Sequence, residues 1–404
     1  MPRRPLTVLS LKNIPFESIF ETMFTDTGFV CFQPKEGQAA GRFSIIASSP
    51  ENSFSMAGGF INIDGHTTID TPVEAFKRFC EEIDSIDIDP YLPFSGGAVG
   101  YIGFEGAKAF RGCSPAKGFS RVPQCRFGIY RTFVIFDHVE NISYVATHQT
   151  SKSEMIGVYD FIDRLKTGAR TNFVFTEHDT KSQYNDIGRM IPNDATFSEL
   201  AKAAHLWLRA DRLKRIHLMR HEEKPQVGLT PQKLFLSNHP NESRFIFSHE
   251  GVSSIFASDD LLLKISDDEV FSNTSISDNA LMNERKDELK SICSDDCMKF
   301  SSSKNGFTIR GKIHPGVNHI DGLANLLPSS SLTGFPKSLA LSYIDENERE
   351  HRSFYGGAFG TVQSNGLEFR TIERVTTFAD GTIRETSGAD LNADQNPDTF
   401  LEKF

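Results

Sequence analysis

Two cysteines and one glycine-rich segment have residue types and spacing that could do chemistry. Cys293 and Cys297 are four residues apart, but none of the six cysteines forms a CxxC pair. We therefore interpret these two as half-buried small residues rather than as a metal or redox pair, and all six as reduced thiols. Residues 95–110, SGGAVGYIGFEGAKAF, lack the glycine spacings GxGxxG and GxxxxGK[ST] that bind phosphate. We expect close backbone packing there instead.

The composition excludes several classes of protein. The chain has 404 residues, and its 43 Lys and Arg against 53 Asp and Glu give a net charge of -10, which argues against binding to nucleic acid. Its 35 Phe against 8 Tyr and 1 Trp predict a large buried core. No apolar run approaches the length of a membrane span, and the N-terminus is not a convincing signal peptide. These features predict a cytoplasmic protein.

The first half of the chain reads mostly as strands. RFSIIASS, FINIDG and YRTFVIFDH alternate or run apolar between turn residues. A helix is predicted to begin at Pro72 with Thr71 as its N-cap. Residues 151–194 are polar and are predicted to be a linker region with one amphipathic helix, MIGVYDFIDRLK.

The second half mixes helices and hairpins. A helix is predicted to begin at Thr196, where Glu199 completes a capping box. RIHLMR reads as a strand, SRFIFSHEGVSSIFASDDLLLKIS as two or three antiparallel strands, and NERKDELKSICSDDCMKF as a helix. Another helix is predicted just after Thr333 and Gly334. Asp380-Gly381 between apolar runs predicts a hairpin. The pattern indicates an α+β fold whose sheets are mostly antiparallel, with external helices.

Several segments in a fixed order resemble motifs of one family. They are GRFSIIASSP (41–50), PFSGGAVGYIGFE (93–105), VIFDH (134–138), PSSSLTGFPK (328–337), YGGAFG (355–360) and ADGTIRETSGADLNADQNPD (379–398). Together they resemble the chorismate-utilising enzymes, which include the large subunits of anthranilate and aminodeoxychorismate synthase and the isochorismate and salicylate synthases. The N-terminal motifs are most similar to the anthranilate and aminodeoxychorismate branch.

The resemblance implies a large sandwich of two sheets with a cleft between them. Residues 1–150 would be the N-terminal part typical of anthranilate synthase component I, and residues 195–404 the chorismate-binding part. The linker region 151–194 would join them into one compact unit. Members of the family bind chorismate, a dicarboxylate, through Mg²⁺ and through basic or backbone donors. The amination members pair with a glutaminase subunit, so the resemblance alone implies such a partner here.

The resemblance also implies an anion-binding set of basic side chains and backbone donors. Thr333 and Gly334 would open a helix N-terminus, where backbone N–H groups can meet a carboxylate. The substrate-binding residues implied are Arg215, Thr333, Gly334, Lys337, Arg374, Gly388 and Ala389.

Other positions depart from the family pattern. The stretch 295–306 takes the place of the helix that carries the first metal-binding glutamate, and Asp295 would replace that glutamate. At the second acidic cluster, Phe400 and Lys403 stand where glutamates would be, and a lysine repels the cation. Arg215 falls where the family directs water or ammonia, and a guanidinium stays protonated and cannot act as a base. Asp390 replaces the last glycine of the backbone donor loop.

These departures leave three hypotheses. The first is a catalytically degenerate protein similar to anthranilate synthase component I, a pseudoenzyme without a cofactor that keeps a metal-independent pocket for a small chorismate-like anion. Arg215, Lys337 and Arg374 would make that pocket net basic. The second is an active enzyme with altered chemistry on chorismate or a related acid, in specialised biosynthesis and with Mg²⁺. The third is an ordinary anthranilate or aminodeoxychorismate synthase, which would require several independent misalignments. Feedback binding of tryptophan is not supported, because FVCFQ (29–33) stands where amino-acid-inhibited members carry an LLES-like strand.

Overall fold

A computed structural model provides the structure of the chain. It describes residues 4–35, 42–113, 122–149, 151–169, 188–237, 242–276, 278–294, 297–303 and 306–404. Within these ranges the chain forms two large antiparallel sheets with helices on their outer faces.

The first sheet runs across both halves of the chain. Its strands are β1 (Thr7–Lys12), β2 (Phe29–Gln33), β3 (Phe43–Ala47), β9 (Thr132–Asp137), β10 (Ile142–Thr147), β11 (Arg189–Ile191), β12 (Arg215–Pro225), β13 (Ser243–His249), β14 (Val252–Ser258), β19 (Gly334–Phe335), β22 (Arg374–Ala379) and β23 (Thr382–Asn392). Their order is β1-β10-β9-β3-β2-β13-β14-β22-β23-β12-β11, with β19 also paired to β12. N-terminal and C-terminal strands therefore hydrogen-bond within one sheet, through β2 and β13.

The second sheet is built in the same way. Its strands are β4 (Asn52–Ala57), β5 (Phe60–Ile63), β6 (His66–Thr68), β7 (Gly97–Ile102), β8 (Cys125–Tyr130), β15 (Leu261–Ser266), β16 (Glu269–Thr274), β17 (Lys299–Ser303), β18 (Gly306–Lys312), β20 (Ala358–Gln363) and β21 (Gly366–Thr371). Their order is β17-β18-β16-β15-β21-β20-β7-β8-β4-β5-β6. Here β7 and β20 join the two halves of the chain.

The helices cover the outer faces of the sheets and the ends of the strands. They are α1 (Phe16–Phe24), α2 (Pro72–Cys80), α3 (Phe104–Phe110), α4 (Lys152–Gly168), α5 (Asp194–Arg209), α6 (Pro231–Ser237), α7 (Asn279–Leu289), α8 (His319–Leu326) and α9 (Lys337–Asn347). Short 3₁₀ helices span Glu81–Ser85, Ser330–Leu332 and Pro397–Lys403. None of the helices in the described ranges combines the length and the apolar character that a membrane crossing requires.

Phenylalanine fills the space between the sheets. Phe245 of the first sheet stacks on Phe359 of the second with 5.5 Å between ring centroids, and Tyr101 stacks on Phe247 at 4.8 Å. Three further apolar clusters bury the contacts between helices and sheets. The predicted α+β fold with two antiparallel sheets and external helices is confirmed, and so is the large phenylalanine core.

Several local predictions are also confirmed. Thr71 caps α2 by accepting a hydrogen bond from the Glu74 N–H at 3.3 Å. Asp380 and Gly381, both with positive φ, turn the hairpin between β22 and β23. In the segment 95–110, Gly97 packs so tightly against the Val362 backbone that a Cβ would collide with it, as expected for backbone packing. All six cysteines are free, although Cys293 is buried and Cys297 exposed rather than both half-buried.

Three helix boundaries differ from the predictions. Helix α5 begins at Asp194 rather than at Thr196, because the Asn193 side chain caps it by accepting from the Thr196 N–H at 3.0 Å. Helix α7 ends at Leu289, and residues 299–303 form strand β17 instead of continuing the helix. Helix α9 begins at Lys337, since Gly334 and Phe335 pair with β12 as strand β19. The division of the chain at residues 150 and 194 stays a prediction.

Candidate functional site

A polar centre lies on two neighbouring strands, β12 and β23. His217 of β12 stands directly opposite Asp390 of β23, and Met219 stands opposite Gly388. Because side chains alternate along a strand, Arg215 lies on the same face of β12 as His217. Arg215 is 3% exposed and His217 6% exposed, so both side chains are buried.

Asp390 binds both of these side chains. Its Oδ1 lies 2.8 Å from His217 Nδ1, and its Oδ2 accepts a hydrogen bond from Arg215 Nη1 at 3.0 Å. The guanidinium also donates to the carbonyl oxygens of Ser330, at 2.6 Å, and Ser331, at 3.2 Å. Burial alone would raise the pKa of Asp390, but His217 and Arg215 together hold that pKa at about 2. The carboxylate is therefore ionised at neutral pH.

His217 links this ion pair to a buried tyrosine. Its Nε2 lies 2.7 Å from Tyr355 Oη, and burial lowers the pKa of His217 although Asp390 opposes this shift. The neutral ring then carries its proton on Nδ1, because the Asp390 carboxylate can only accept, and Nε2 accepts from the tyrosine hydroxyl. Burial raises the pKa of Tyr355, so the hydroxyl keeps its proton.

Gly388 and Ala389 lie beside this centre on β23. A Cβ at Gly388 would collide with the His217 ring and with the Tyr355 hydroxyl. Glycine is therefore required at position 388 by the packing of the centre itself. Ala389 pairs with Leu218 in the ladder between β23 and β12.

A second charged cluster surrounds Lys337 at the start of α9. Its Nζ forms an ion pair with Glu288 and donates to the carbonyl oxygen of Leu326 at 3.1 Å. Its backbone N–H donates to Glu284 Oε1 at 2.9 Å. Glu284 and Glu288 are four residues apart on α7 and so lie on one face of that helix. Burial lowers the pKa of Lys337, with Glu288 opposing, and raises the pKa of Glu284.

Thr333 and Gly334 do not open a helix N-terminus as predicted, and their role as anion-binding residues stays a prediction. Thr333 and Gly334 precede α9 by several residues, and the Thr333 carbonyl accepts from the His217 N–H at 3.0 Å. The first N–H of α9 already meets a carboxylate, that of Glu284. The backbone donor at the start of α9 is therefore bound by a carboxylate of the chain itself.

The segment Ser329–Ser331 connects the two clusters. Arg285 of α7 is fully buried and donates to Ser329 Oγ at 2.9 Å and to Ser272 Oγ at 2.9 Å. One and two residues further on, the carbonyls of Ser330 and Ser331 hold Arg215. The Asp390 and Lys337 clusters therefore belong to one continuous polar centre between α7, β12 and β23.

Arg374 is placed differently. It is the first residue of β22, its side chain is 55% exposed, and it forms an ion pair with Glu242. Arg215, Lys337 and Arg374 are thus each paired with a carboxylate of the chain, and in the described structure they do not form the net basic pocket that the sequence predicted. Their roles as substrate-binding residues stay predictions.

The positions expected for metal ligands have other contacts. Phe400 is buried and stacks on Phe197 of α5 with 5.9 Å between ring centroids. Lys403 Nζ donates to the backbone carbonyl of Asp390 at 2.7 Å. Asp295 and Asp296 lie outside the described residues. In the part of the chain that is described, no group of three or more His, Cys, Asp or Glu side chains is placed to hold a metal ion.

The N-terminal motifs contribute to structure rather than to this centre. Arg42 of the GRFS motif donates to both carboxylate oxygens of Asp137, the aspartate of VIFDH, at 2.9 Å. Glu105, which ends the PFSGGAVGYIGFE motif, accepts from the Arg352 backbone N–H at 3.1 Å. These contacts join β3 to β9 and α3 to the loop before β20.

Comparison with known proteins shows what the chain is similar to. The model of the chorismate binding enzyme family matches residues 306–399. Anthranilate synthase component 1 of Lactococcus lactis is 24% identical over 416 residues, covering 90% of this chain and 89% of that protein. The crystal structure of anthranilate synthase component I from Streptococcus pneumoniae superposes with a TM-score of 0.76, at 18% identity and 90% coverage of both chains. The chain is therefore similar to the chorismate binding enzymes over residues 306–399, and to anthranilate synthase component I over nearly its whole length.

Further relatives agree with this placement. Anthranilate synthase component 1 of Methanothermobacter marburgensis is 24% identical over 442 residues, covering 99% of this chain and 90% of that protein. MenF, the menaquinone-specific isochorismate synthase of Escherichia coli, has the same fold, with a TM-score of 0.69 and 12% identity over 100% of this chain and 92% of that one. The predicted resemblance to this family and to anthranilate synthase component I is confirmed.

Five residues of the polar centre were missed by the sequence analysis: Glu284, Arg285, Glu288, His217 and Tyr355. Two signals could have indicated three of them. The i, i+4 spacing of the glutamates in NERKDEL places both on one helix face. The alternation of RIHLMR places His217 on the same side as Arg215.

Proposed function

We propose that this protein is an anthranilate synthase component I-like member of the chorismate-binding family that does not convert chorismate. One observation carries the proposal: each carboxylate of the polar centre binds at least one donor of the chain itself, although Oε2 of Glu284 and Oε2 of Glu288 accept no hydrogen bond from the described residues. Asp390 is bound by Arg215 and His217, Glu288 by Lys337, and Glu284 by the N–H of Lys337. A reactive centre needs groups left available to the substrate, and here the charged groups bind one another.

The proposal includes the loss of Mg²⁺ chemistry. Mg²⁺ requires near-octahedral oxygen coordination, usually with one or two carboxylates and several waters. Glu284 and Glu288 are the carboxylates nearest to such a set, but the buried ammonium of Lys337 binds Glu288 and stands where a cation would stand. Lys403 places another positive charge beside Asp390. The residues present therefore do not fit the metal, and we propose that the protein works without it.

Neither Arg215 nor His217 is available as a general base in the centre as described. Arg215 occupies the position that directs water or ammonia in the family, and its guanidinium remains protonated. The unprotonated nitrogen of His217, Nε2, already accepts a hydrogen bond from the Tyr355 hydroxyl at 2.7 Å. Proton abstraction from water or ammonium would require breaking this buried contact.

The alternative is an active enzyme with altered chemistry on chorismate or a related acid. Its supporting observation is the pair Glu284 and Glu288, two carboxylates on one helix face that could bind Mg²⁺ if Lys337 moved away. Thermal unfolding with chorismate separates the two proposals. The alternative requires stabilisation that depends on Mg²⁺, about 2.7 kcal/mol at 100 times the dissociation constant. The non-catalytic proposal expects no Mg²⁺-dependent gain.

Chorismate turnover tests the proposal directly. The protein is incubated with chorismate, Mg²⁺ and ammonium and followed by chromatography, beside the Lactococcus lactis relative as positive control. Loss of chorismate above that of a heat-killed sample would overturn the proposal. A glutaminase subunit, implied by family resemblance, stays a predicted partner, and size-exclusion chromatography of the mixed proteins tests it.

A further inference from the structure

We infer that Arg215 and His217 form a carboxylate-binding centre whose ligand is the chain's own Asp390, and that this centre is closed to external carboxylates while Asp390 is present. The inference rests on the proposed function, because a centre that binds its own side chain does not take substrate there. It assigns to Asp390 the role of an internal ligand, in addition to that of a strand residue.

The geometry is that of a bound carboxylate. Each oxygen of Asp390 has its own donor, His217 Nδ1 at 2.8 Å and Arg215 Nη1 at 3.0 Å. Both donors come from β12, whereas the carboxylate comes from β23. The carbonyls of Ser330 and Ser331 fix the guanidinium from the other side, so Arg215 is held in place independently of Asp390.

Burial makes an anion obligatory at this point. Arg215 is 3% exposed, and a buried guanidinium without a counter-charge is strongly unfavourable. Its Nε is buried without a hydrogen-bond partner, so the group depends on the contacts at its two terminal nitrogens. Asp390 is the carboxylate that forms an ion pair with Arg215 in the described structure, so its removal would leave the guanidinium without that counter-charge. The arginine and the aspartate therefore form a matched pair.

The size of the Asp390 side chain determines which external anion could replace it. Beyond its Cα, an aspartate carries one methylene and one carboxylate, which is the size of acetate. The Asp390 side chain is 31% exposed, so the place it occupies is open to solvent on one side. Asp390→Gly would leave a solvent-connected space lined by Arg215 and His217. The ligand class of that space is a small monocarboxylate.

Acetate rescue of Asp390→Gly tests the inference. Thermal unfolding of wild type and variant is measured against sodium acetate, with sodium chloride at equal ionic strength and neutral acetamide as controls. We expect the variant alone to gain stability from acetate, about 1–2 °C in Tm at ten times the dissociation constant, with saturation. Equal effects of acetate and chloride on the variant would overturn the inference, and so would an acetate gain in the wild type.

Two more variants keep the test decisive. If Asp390→Gly does not fold, Asp390→Ala replaces it, since alanine also removes the carboxylate. The double variant Arg215→Met/Asp390→Gly removes both charges and should lose the acetate response. A response that survives in the double variant would place the acetate elsewhere and overturn the inference. Chorismate turnover by the wild type reports separately on the proposed function, so the two failures are distinguishable.

Discussion

Lys337 is the residue whose removal should perturb the polar centre most informatively. The side chain is 2% exposed, and its partner Glu288 is 11% exposed. Lys337→Met keeps the length and the apolar stem of the side chain but removes the charge. Glu288 and the carbonyl of Leu326 would then lose the ammonium that they bind.

The loss of stability in Lys337→Met depends on which cations remain near Glu288. Breaking a buried ion pair typically costs about 3–5 kcal/mol because a charge is left uncompensated. Arg285 and Arg111 stay within 3.9 Å of Glu288 and compensate it partly, which favours the lower end of that range. We expect Lys337→Met to lower the free energy of unfolding by about 3 kcal/mol.

A matched control lies at the C-terminal end of α7, the helix that carries Glu288. Lys290 and Asp287 form an ion pair at 3.0 Å, but their side chains are 42% and 68% exposed. Lys290→Met should cost at most about 0.5 kcal/mol, as for other exposed pairs. The double variant Lys337→Met/Glu288→Gln should recover most of the loss, because both charges are gone.

Urea unfolding of the four proteins, followed by circular dichroism, measures these differences. The reasoning is refuted if Lys337→Met costs no more than Lys290→Met. It is also refuted if the double variant is less stable than Lys337→Met. In that case, removal of the Glu288 charge would not have relieved the cost of leaving that charge without its ammonium partner.

Three further predictions concern pH and packing. The pKa of Asp390 is about 2 in the folded protein against an ordinary 3.8, so the stabilisation from this carboxylate is present above pH 3.8 and is lost as pH falls towards 2. In urea unfolding, the wild type should lose about 2 kcal/mol of unfolding free energy from this group between pH 5 and pH 2. Asp390→Asn should lack this loss. Burial, with Asp260 and Asp259 nearby, raises the pKa of Glu373 from 4.5 to about 8, so stability is full below pH 4.5 and falls as pH rises through 8. Glu373→Gln should flatten that fall in Tm scans between pH 5 and pH 9, and an unchanged slope would contradict the assignment. Gly388→Ala should lower the free energy of unfolding by about 1–3 kcal/mol through overpacking against His217 and Tyr355, and a variant as stable as wild type would contradict the close packing.

Most of the fold could be predicted because its signals are local. The hairpin at Asp380-Gly381 and the cap at Thr71 each depend on a few neighbouring residues. The start of α5 depends on a local cap at Asn193 that was overlooked, whereas the other two helix boundaries failed where a distant contact decides. Gly334 pairs with Ile216 of β12 and so lies outside the helix. Cys293, just after α7, forms an isolated β-bridge through its backbone with Ile313. Neither partner is visible in the local pattern.

The site was harder to predict because its contacts are long-range. Arg215 was identified as a basic position, but its partner Asp390 is 175 residues away. Lys337 was identified as well, whereas Glu284, 53 residues away, was not. The sequence shows that charges are present, but whether they remain available or neutralise one another depends on how the strands and helices assemble. Here that assembly turned an expected basic pocket into paired charges.

The most direct test of the account is chorismate consumption by the wild-type protein with Mg²⁺ and ammonium. A polar centre whose charged groups bind one another predicts no loss of chorismate beyond the heat-killed control, under conditions in which the Lactococcus lactis relative turns the substrate over. Consumption of chorismate with a new chromatographic product would contradict the account, and the mass of that product would identify the reaction.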